Sequence, residues 1–154
     1  MSTTRAGQRW RLLLAVAAIT LLGFVLRLID LEGRSLWLDE GFSLLRFEQS
    51  WEALVSGKFE RQGIPTRDLH PPLYFALVRL WSLLAGSNVF TWRLFSAFCS
   101  VLVIPLTWCA AYRFIRDVFA AGFAAVLAAV APAFLWQAAE VRMYALVTVW
   151  GVAG

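Results

Sequence analysis

Apolar positions in this chain gather in long unbroken runs, unlike the alternation of a strand or the one-sided stripe of a soluble helix. Leu94 to Tyr112 and Val118 to Ala139 contain no Asp, Glu, Lys or Arg. A helix needs roughly 20 apolar residues to cross a hydrocarbon core about 30 Å thick, so each run predicts a membrane span. Leu12 to Ile29 predicts another, and Met143 to Gly154 starts a further apolar helix of about 12 residues, long enough for only about 18 Å.

A polar stretch, 30–70, opens the outer loop of about 30–93 after the first span and holds eight of the ten acidic residues, beginning with Asp30. From Glu40 to Val55, the residues Leu44, Phe47, Trp51, Leu54 and Val55 recur at helical spacing among Arg46, Glu48 and Glu52. That pattern predicts a short amphipathic helix at a membrane interface. Ser56 to Asp68, with two glycines and Pro65, predicts a loop. Pro71 to Gly86 allows either a second span or a helix lying flat. It covers only about 24 Å, and Arg79 stands at its middle, where a lipid-facing charge costs at least about 2.5–3.5 kcal/mol.

The charge pattern downstream separates the two arrangements. With Pro71 to Gly86 flat, the following span delivers Arg113 and Arg116 to the cytoplasm, and Glu140 to Tyr144 returns to the side of the acidic loop. Three arginines (Arg5, Arg9, Arg11) precede the first span, which places the N-terminus in the cytoplasm by the positive-inside rule. The flat arrangement satisfies that rule at both basic clusters. The expected fold is therefore all-α and polytopic, with spans near 12–29, 94–112, 118–139 and a truncated 143–154. Residues 1–154 read as a single module, expected in the plasma membrane.

Composition agrees: 60% of residues are hydrophobic, 16% charged, and the mean hydropathy is +0.68, against about 45–50% and 25% in soluble domains. The net charge of +4 comes from dispersed residues, nearly all arginine; they orient spans and form no nucleic-acid-binding face. No small-residue cleavage site follows the first apolar run, which ends in Arg27-Leu28-Ile29-Asp30-Leu31, so an uncleaved helix is expected in preference to a signal peptide. Cys99 and Cys109 lie ten apart in one predicted helix, about 15 Å along its axis, and cannot pair with each other.

Three segments carry candidate chemistry. In Ser35-Leu-Trp-Leu-Asp39-Glu40, the acidic pair suits a helix start, with Asp39 as cap, or a carboxylate at the membrane surface that accepts a proton or helps hold a metal. In Asp68-Leu-His70-Pro-Pro-Leu-Tyr74-Phe75, the prolines stiffen a helix start, and His70 is the only histidine. In Gln137-Ala-Ala-Glu140-Val-Arg142-Met-Tyr144, Arg and Tyr suit a helix end at an interface. On the flat topology Arg27, Arg79, Arg93 and Arg142 collect on the side that should be poor in arginine, and arginine grips phosphate well.

In order and combination, "SLWLDE", "DLHPPLYF", "WRLFSAFCSVLVIPL" and "QAAEVRMYAL" resemble the start of family 39-type glycosyltransferases. These are GT-C membrane enzymes related to protein O-mannosyltransferases and lipid A aminoarabinose transferases. Phe75 stands where many relatives have a second Tyr. The resemblance implies transfer of a sugar from a polyprenyl-phosphate donor to an acceptor hydroxyl outside the cytoplasm. It implies Asp39 as catalytic base with Glu40 beside it, and His70, Tyr74, Arg142 and Tyr144 near the donor phosphate. Metal use and acceptor identity (glycolipid, polysaccharide or protein) stay open, and the 154-residue chain is expected to be inactive without the family's later helices. The rival from another class is a non-catalytic membrane protein, such as a transporter subunit or an inactive truncated product. A transporter should bury ionisable residues at mid-membrane, and the two clearest runs carry none.

Overall fold

The computed structural model describes residues 5–29, 31–61 and 63–154; Asp30, the first residue of the expected loop, lies outside them. Its elements run α1 (Arg5–Leu28), α2 (Leu38–Glu48), α3 (Trp51–Ser56), β1 (Lys58–Arg61), β2 (Ile64–Arg67), α4 (Pro72–Ala85), α5 (Val89–Ile115), α6 (Val118–Val130), α7 (Pro132–Ala138) and α8 (Tyr144–Ala153). The chain is mostly helical. Two helices, α1 and α5, are long and apolar enough to cross a membrane, or three if the bent α6–α7 pair is one span. Leu13, Leu14, Leu21, Leu22, Phe119 and Phe123 stand more than half exposed, a surface that water disfavours and lipid tails accept.

Three expectations change. The predicted loop 56–68 contains an antiparallel hairpin, Lys58 opposite Arg67 through Arg61 opposite Ile64, so the fold is not purely helical. Its mouth closes where Asp68 donates its backbone N–H to the Gly57 carbonyl at 2.8 Å. Gly57 has φ +68°, and a Cβ there would lie 2.1 Å from the Asp68 carbonyl oxygen, so only glycine fits. The single helix expected over 40–55 is two helices, because the Ser50 hydroxyl accepts from the Ala53 N–H at 3.2 Å and starts α3 afresh.

The third change concerns 118–139, which bends by 50° between α6 and α7. Pro132 has no N–H to donate to the Ala128 carbonyl one turn back, and its ring drives Ala131 out of helical conformation (ψ 121°). Arg27 satisfies the carbonyls this break exposes. Its Nη2 donates to Ala128 O at 3.2 Å, Nη1 to Ala129 O at 3.1 Å and to Gly23 O at 2.9 Å, and Nε to Ser100 Oγ at 2.8 Å. Arg27 is thus committed to the fold and is not a group waiting for an anion. Around it Ile104 packs against Ala125, Ala128 and Ala129, small side chains that let helices approach closely. Gly23 serves the same end, since a Cβ there would meet the Ile104 Cδ1 at 2.3 Å. Arg27→Met keeps the stem's bulk and removes the donors. At about 1–3 kcal/mol per buried group left unpaired, it is expected to lower the thermal midpoint in detergent by several degrees; an unchanged midpoint would contradict this role.

A second core, Phe47, Leu54, Tyr74, Phe75, Val78 and Val141, seats α2, α3 and α4 beside the first turns of α5. Asn88 caps α5 by accepting from the Thr91 N–H at 2.8 Å. Two indoles tie α4 to this end: Trp81 donates to the Thr91 carbonyl and Trp92 to the Ser82 hydroxyl, each at 2.9 Å. Arg79, the charge in the middle of α4, donates to the Gln49 carbonyl and lies over the Trp51 ring at 4.5 Å. Its charge is turned toward α2 and α3.

Candidate functional site

The site starts with the first turn of α2. Trp37 is its N-cap residue, so Asp39 is not the cap. Glu40 fills the third helical position and its Oε2 accepts from the Trp37 backbone N–H at 3.2 Å. The same carboxylate is clamped by Arg93 of α5, Nη2 to Oε2 at 2.9 Å and Nε to Oε1 at 3.3 Å, while the Val141 N–H donates to Oε1 at 2.8 Å. Arg93 also donates to the carbonyls of Leu31 (2.7 Å) and Arg34 (3.0 Å). Glu40 and Arg93 are each 1% exposed. This buried pair joins the α1–α2 link, α2, α5 and the α7–α8 link. Glu40, a candidate catalytic residue by sequence, holds the site together and offers it no unoccupied oxygen.

Asp39 lies one residue earlier, about 100° around the helix, and its carboxylate is 65% exposed. It faces the α7–α8 link, where Arg142 Nη2 approaches Asp39 Oδ2 at 3.3 Å. Arg142 is only 6% exposed, and its Nε–H has no hydrogen-bond partner. Buried donors are rarely left unpaired. Asp39, Glu40, Arg142 and Tyr144, four of the residues singled out in the sequence, line one cavity of about 300 Å³ with Trp37, Leu38 and Glu140. Glu140 accepts a hydrogen bond from the Trp136 indole N–H. Burial pushes its carboxyl above the usual range, with the negative Glu40 and Asp39 nearby adding to the shift.

His70 and Tyr74 are not brought to this cavity. Tyr74 is a core residue, 1% exposed, with its hydroxyl on Ser96 Oγ at 2.8 Å, and burial raises its phenol above the usual range. His70 belongs to a separate cluster. Its ring Nδ1 and backbone N–H meet Asp68 Oδ1, while Arg46 Nη1 donates to Asp68 Oδ2 at 2.8 Å and to the His70 carbonyl at 3.0 Å. Arg46 is buried against the Phe75 ring, 4.1 Å from its centroid, and its Nε and Nη2 hold the Leu54 carbonyl. The "DLHPP" segment is thereby pinned to α2 and α3.

Burial alone would raise the Asp68 carboxyl, but hydrogen bonds from His70 and the Arg46 guanidinium outweigh it and hold the group below its usual value. A carboxyl depressed in the folded state stabilises the fold above its unfolded pKa, near 3.9, and the gain is lost as pH falls through the folded value. Asp68→Asn is expected to lower the thermal midpoint at pH 7. The difference from the parent should shrink as pH is taken toward about 3; a difference independent of pH would contradict this.

Among the described residues no group of three or more His, Cys, Asp or Glu side chains could hold a metal ion. Three cavity residues, Trp37, Leu38 and Glu140, were not among the candidates named from sequence. Glu140 stands in the same segment as Arg142, so proximity in sequence was an available signal. Trp37 and Leu38 carry no titratable or ligating group that would mark them in the sequence. No protein-family model, curated protein or solved structure matches the chain.

Proposed function

We propose that this chain belongs to a membrane glycosyltransferase that moves a sugar from a polyprenyl-phosphate donor to an acceptor hydroxyl on the extracytoplasmic face. The observation that carries the reading is the exposed Asp39 carboxylate facing a buried Arg142 with an unpaired N–H, in one cavity. In this reading the acceptor oxygen attacks the anomeric carbon and the bond from that carbon to the phosphate oxygen breaks. The acceptor's proton passes to Asp39, and the electron pair leaves on the lipid phosphate. Arg142 stabilises that growing charge without reorganisation, because the fold already holds its guanidinium in place. Tyr144, 39% exposed at the cavity, adds a hydroxyl toward the phosphate. Glu40 and Arg93 position both groups.

A lipid-linked donor stays in the bilayer, so its reacting phosphate must be met at the membrane surface. The topology that goes with this reading is multi-pass in the plasma membrane with a cytoplasmic N-terminus; the basic residues before α1 and at Arg113 and Arg116 support it. The acceptor is a glycolipid, a polysaccharide or a protein. The test is transfer of labelled sugar from polyprenyl-phosphate donors by membranes of cells that express the protein from its own gene. Arg142→Gln, which keeps a donor but removes the charge, is expected to cost about 10²–10³-fold in turnover, as loss of one charge-stabilising donor does elsewhere. Transfer at parental rate and abundance in Arg142→Gln would end the assignment of the phosphate to this cavity.

A further inference from the structure

The Trp37 ring lines the cavity together with Asp39 and Arg142, yet it is 58% exposed. Trp136 meets it edge to face, ring centroids 6.0 Å apart. A face of Trp136 is already covered by the Arg34 guanidinium, 5.2 Å from the ring centroid, and its indole N–H is spent on Glu140. Trp37 therefore offers the wider open aromatic surface at this site, 58% exposed against 39% for Tyr144, and it is braced by a neighbour whose own contacts are taken. A flat, apolar ring beside two carboxylates and a cation suits a ligand with the same division of character. One face of a pyranose presents C–H bonds made slightly positive by the ring oxygens, which the negative face of an indole attracts. Its rim presents hydroxyls, which need acceptors such as Asp39 and Glu140. A hydrocarbon tail has no use for the carboxylates, and a simple anion has no use for the indole.

Resting on the function proposed above, we infer that Trp37 is the platform for the donor's sugar ring: the ring lies on the indole while its phosphate reaches the Arg142 guanidinium that lines the same cavity. The cavity, about 300 Å³, sits at the lower end of ligand sites, which run about 300–1,000 Å³. It takes one sugar ring with its phosphate and not an oligosaccharide. Trp37 is thus a binding residue that discriminates a glycosyl phosphate from phosphate alone.

The experiment measures binding of hexose 1-phosphates and of inorganic phosphate to the full chain in lipid nanodiscs, by calorimetry and by saturation transfer to the sugar C–H protons. The parent is expected to prefer hexose 1-phosphate over inorganic phosphate. Trp37→Leu is expected to weaken hexose 1-phosphate about tenfold, roughly the worth of one aromatic contact, and to leave inorganic phosphate unchanged. Trp37→Phe, which keeps an aromatic face, is expected to recover part of the loss at the same thermal midpoint. If Trp37→Leu lowers membrane insertion or stability but leaves the ratio of the two affinities as in the parent, Trp37 is an interface anchor and the platform is overturned. If phosphate binds, the ratio ignores Trp37 and transfer persists, the platform fails alone. If neither ligand binds to the parent or to Trp37→Phe, the platform and the donor site at Arg142 fail together. Ratio loss in Trp37→Leu alongside full transfer in Asp39→Asn would support the platform and reject the base.

Discussion

Asp39→Asn is expected to reduce sugar transfer about 10²–10⁴-fold, the usual contribution of a general base, while membrane abundance stays at the parental level. The second half of that expectation comes from the geometry. Asp39 is not the cap of α2, its carboxylate is 65% exposed, and its contact with Arg142 is long at 3.3 Å. Arg142 is buried, but the Asp39 carboxylate is largely solvated and Asn keeps an oxygen for the guanidinium, so losing this one charge costs less than breaking a fully buried pair. Asn keeps the shape and a carbonyl oxygen for Arg142 but cannot take up the acceptor's proton. Transfer and abundance are measured on the same membranes. Near-parental turnover at parental abundance would remove Asp39 from the chemistry, and a parallel fall of both would return it to a structural part.

Glu40→Gln, one residue away, is expected to do the reverse: folded protein is lost first, and activity falls only in proportion. The Glu40 carboxylate accepts from Arg93 twice, from the Val141 N–H and from the Trp37 N–H. With the charge gone, the Arg93 guanidinium stays buried without a counter-ion. Removing one partner of a buried pair costs about 3–5 kcal/mol, a large share of the roughly 5–15 kcal/mol that holds a typical domain together. Removing both is expected to cost less than the sum, so Glu40→Gln with Arg93→Gln should recover part of the lost stability, as a coupled pair does. Thermal unfolding in detergent across the four members of this cycle measures it. Additive losses would show that the two side chains act independently, and Glu40→Gln with normal abundance but no turnover would make Glu40 a participant in the chemistry.

The contrast between neighbours shows what was legible. The acidic pair after Trp37 was visible as a place where chemistry collects, together with Arg142 and Tyr144. Which carboxylate is free was not visible, because in a string of letters both look the same. The arginines gave a similar ambiguity. Arg27, Arg79 and Arg93 read as anion grips alongside Arg142, yet each of the three spends its donors on the protein: Arg27 on carbonyls and Ser100, Arg79 on the Gln49 carbonyl, Arg93 on Glu40 and two carbonyls. Pro132 inside the run 118–139 was an available sign of the bend, but the uninterrupted apolar composition outweighed it.

The sequence by itself determined the mostly helical character with its long apolar helices, the short α4, the polar interval that carries the acids, and the segments from which the cavity is built. Those features depend on partition between water and lipid and on caps within a turn, which neighbouring residues decide. Tertiary structure decided the hairpin's closure at Gly57, the pinning of His70 away from the cavity, the burial of Tyr74, and the division of labour between Asp39 and Glu40. The partners that impose that division lie 53 and 101 residues along the chain from Glu40, at Arg93 and Val141. No local pattern records a hydrogen bond that exists only once α5 and the α7–α8 link have packed against the first turn of α2.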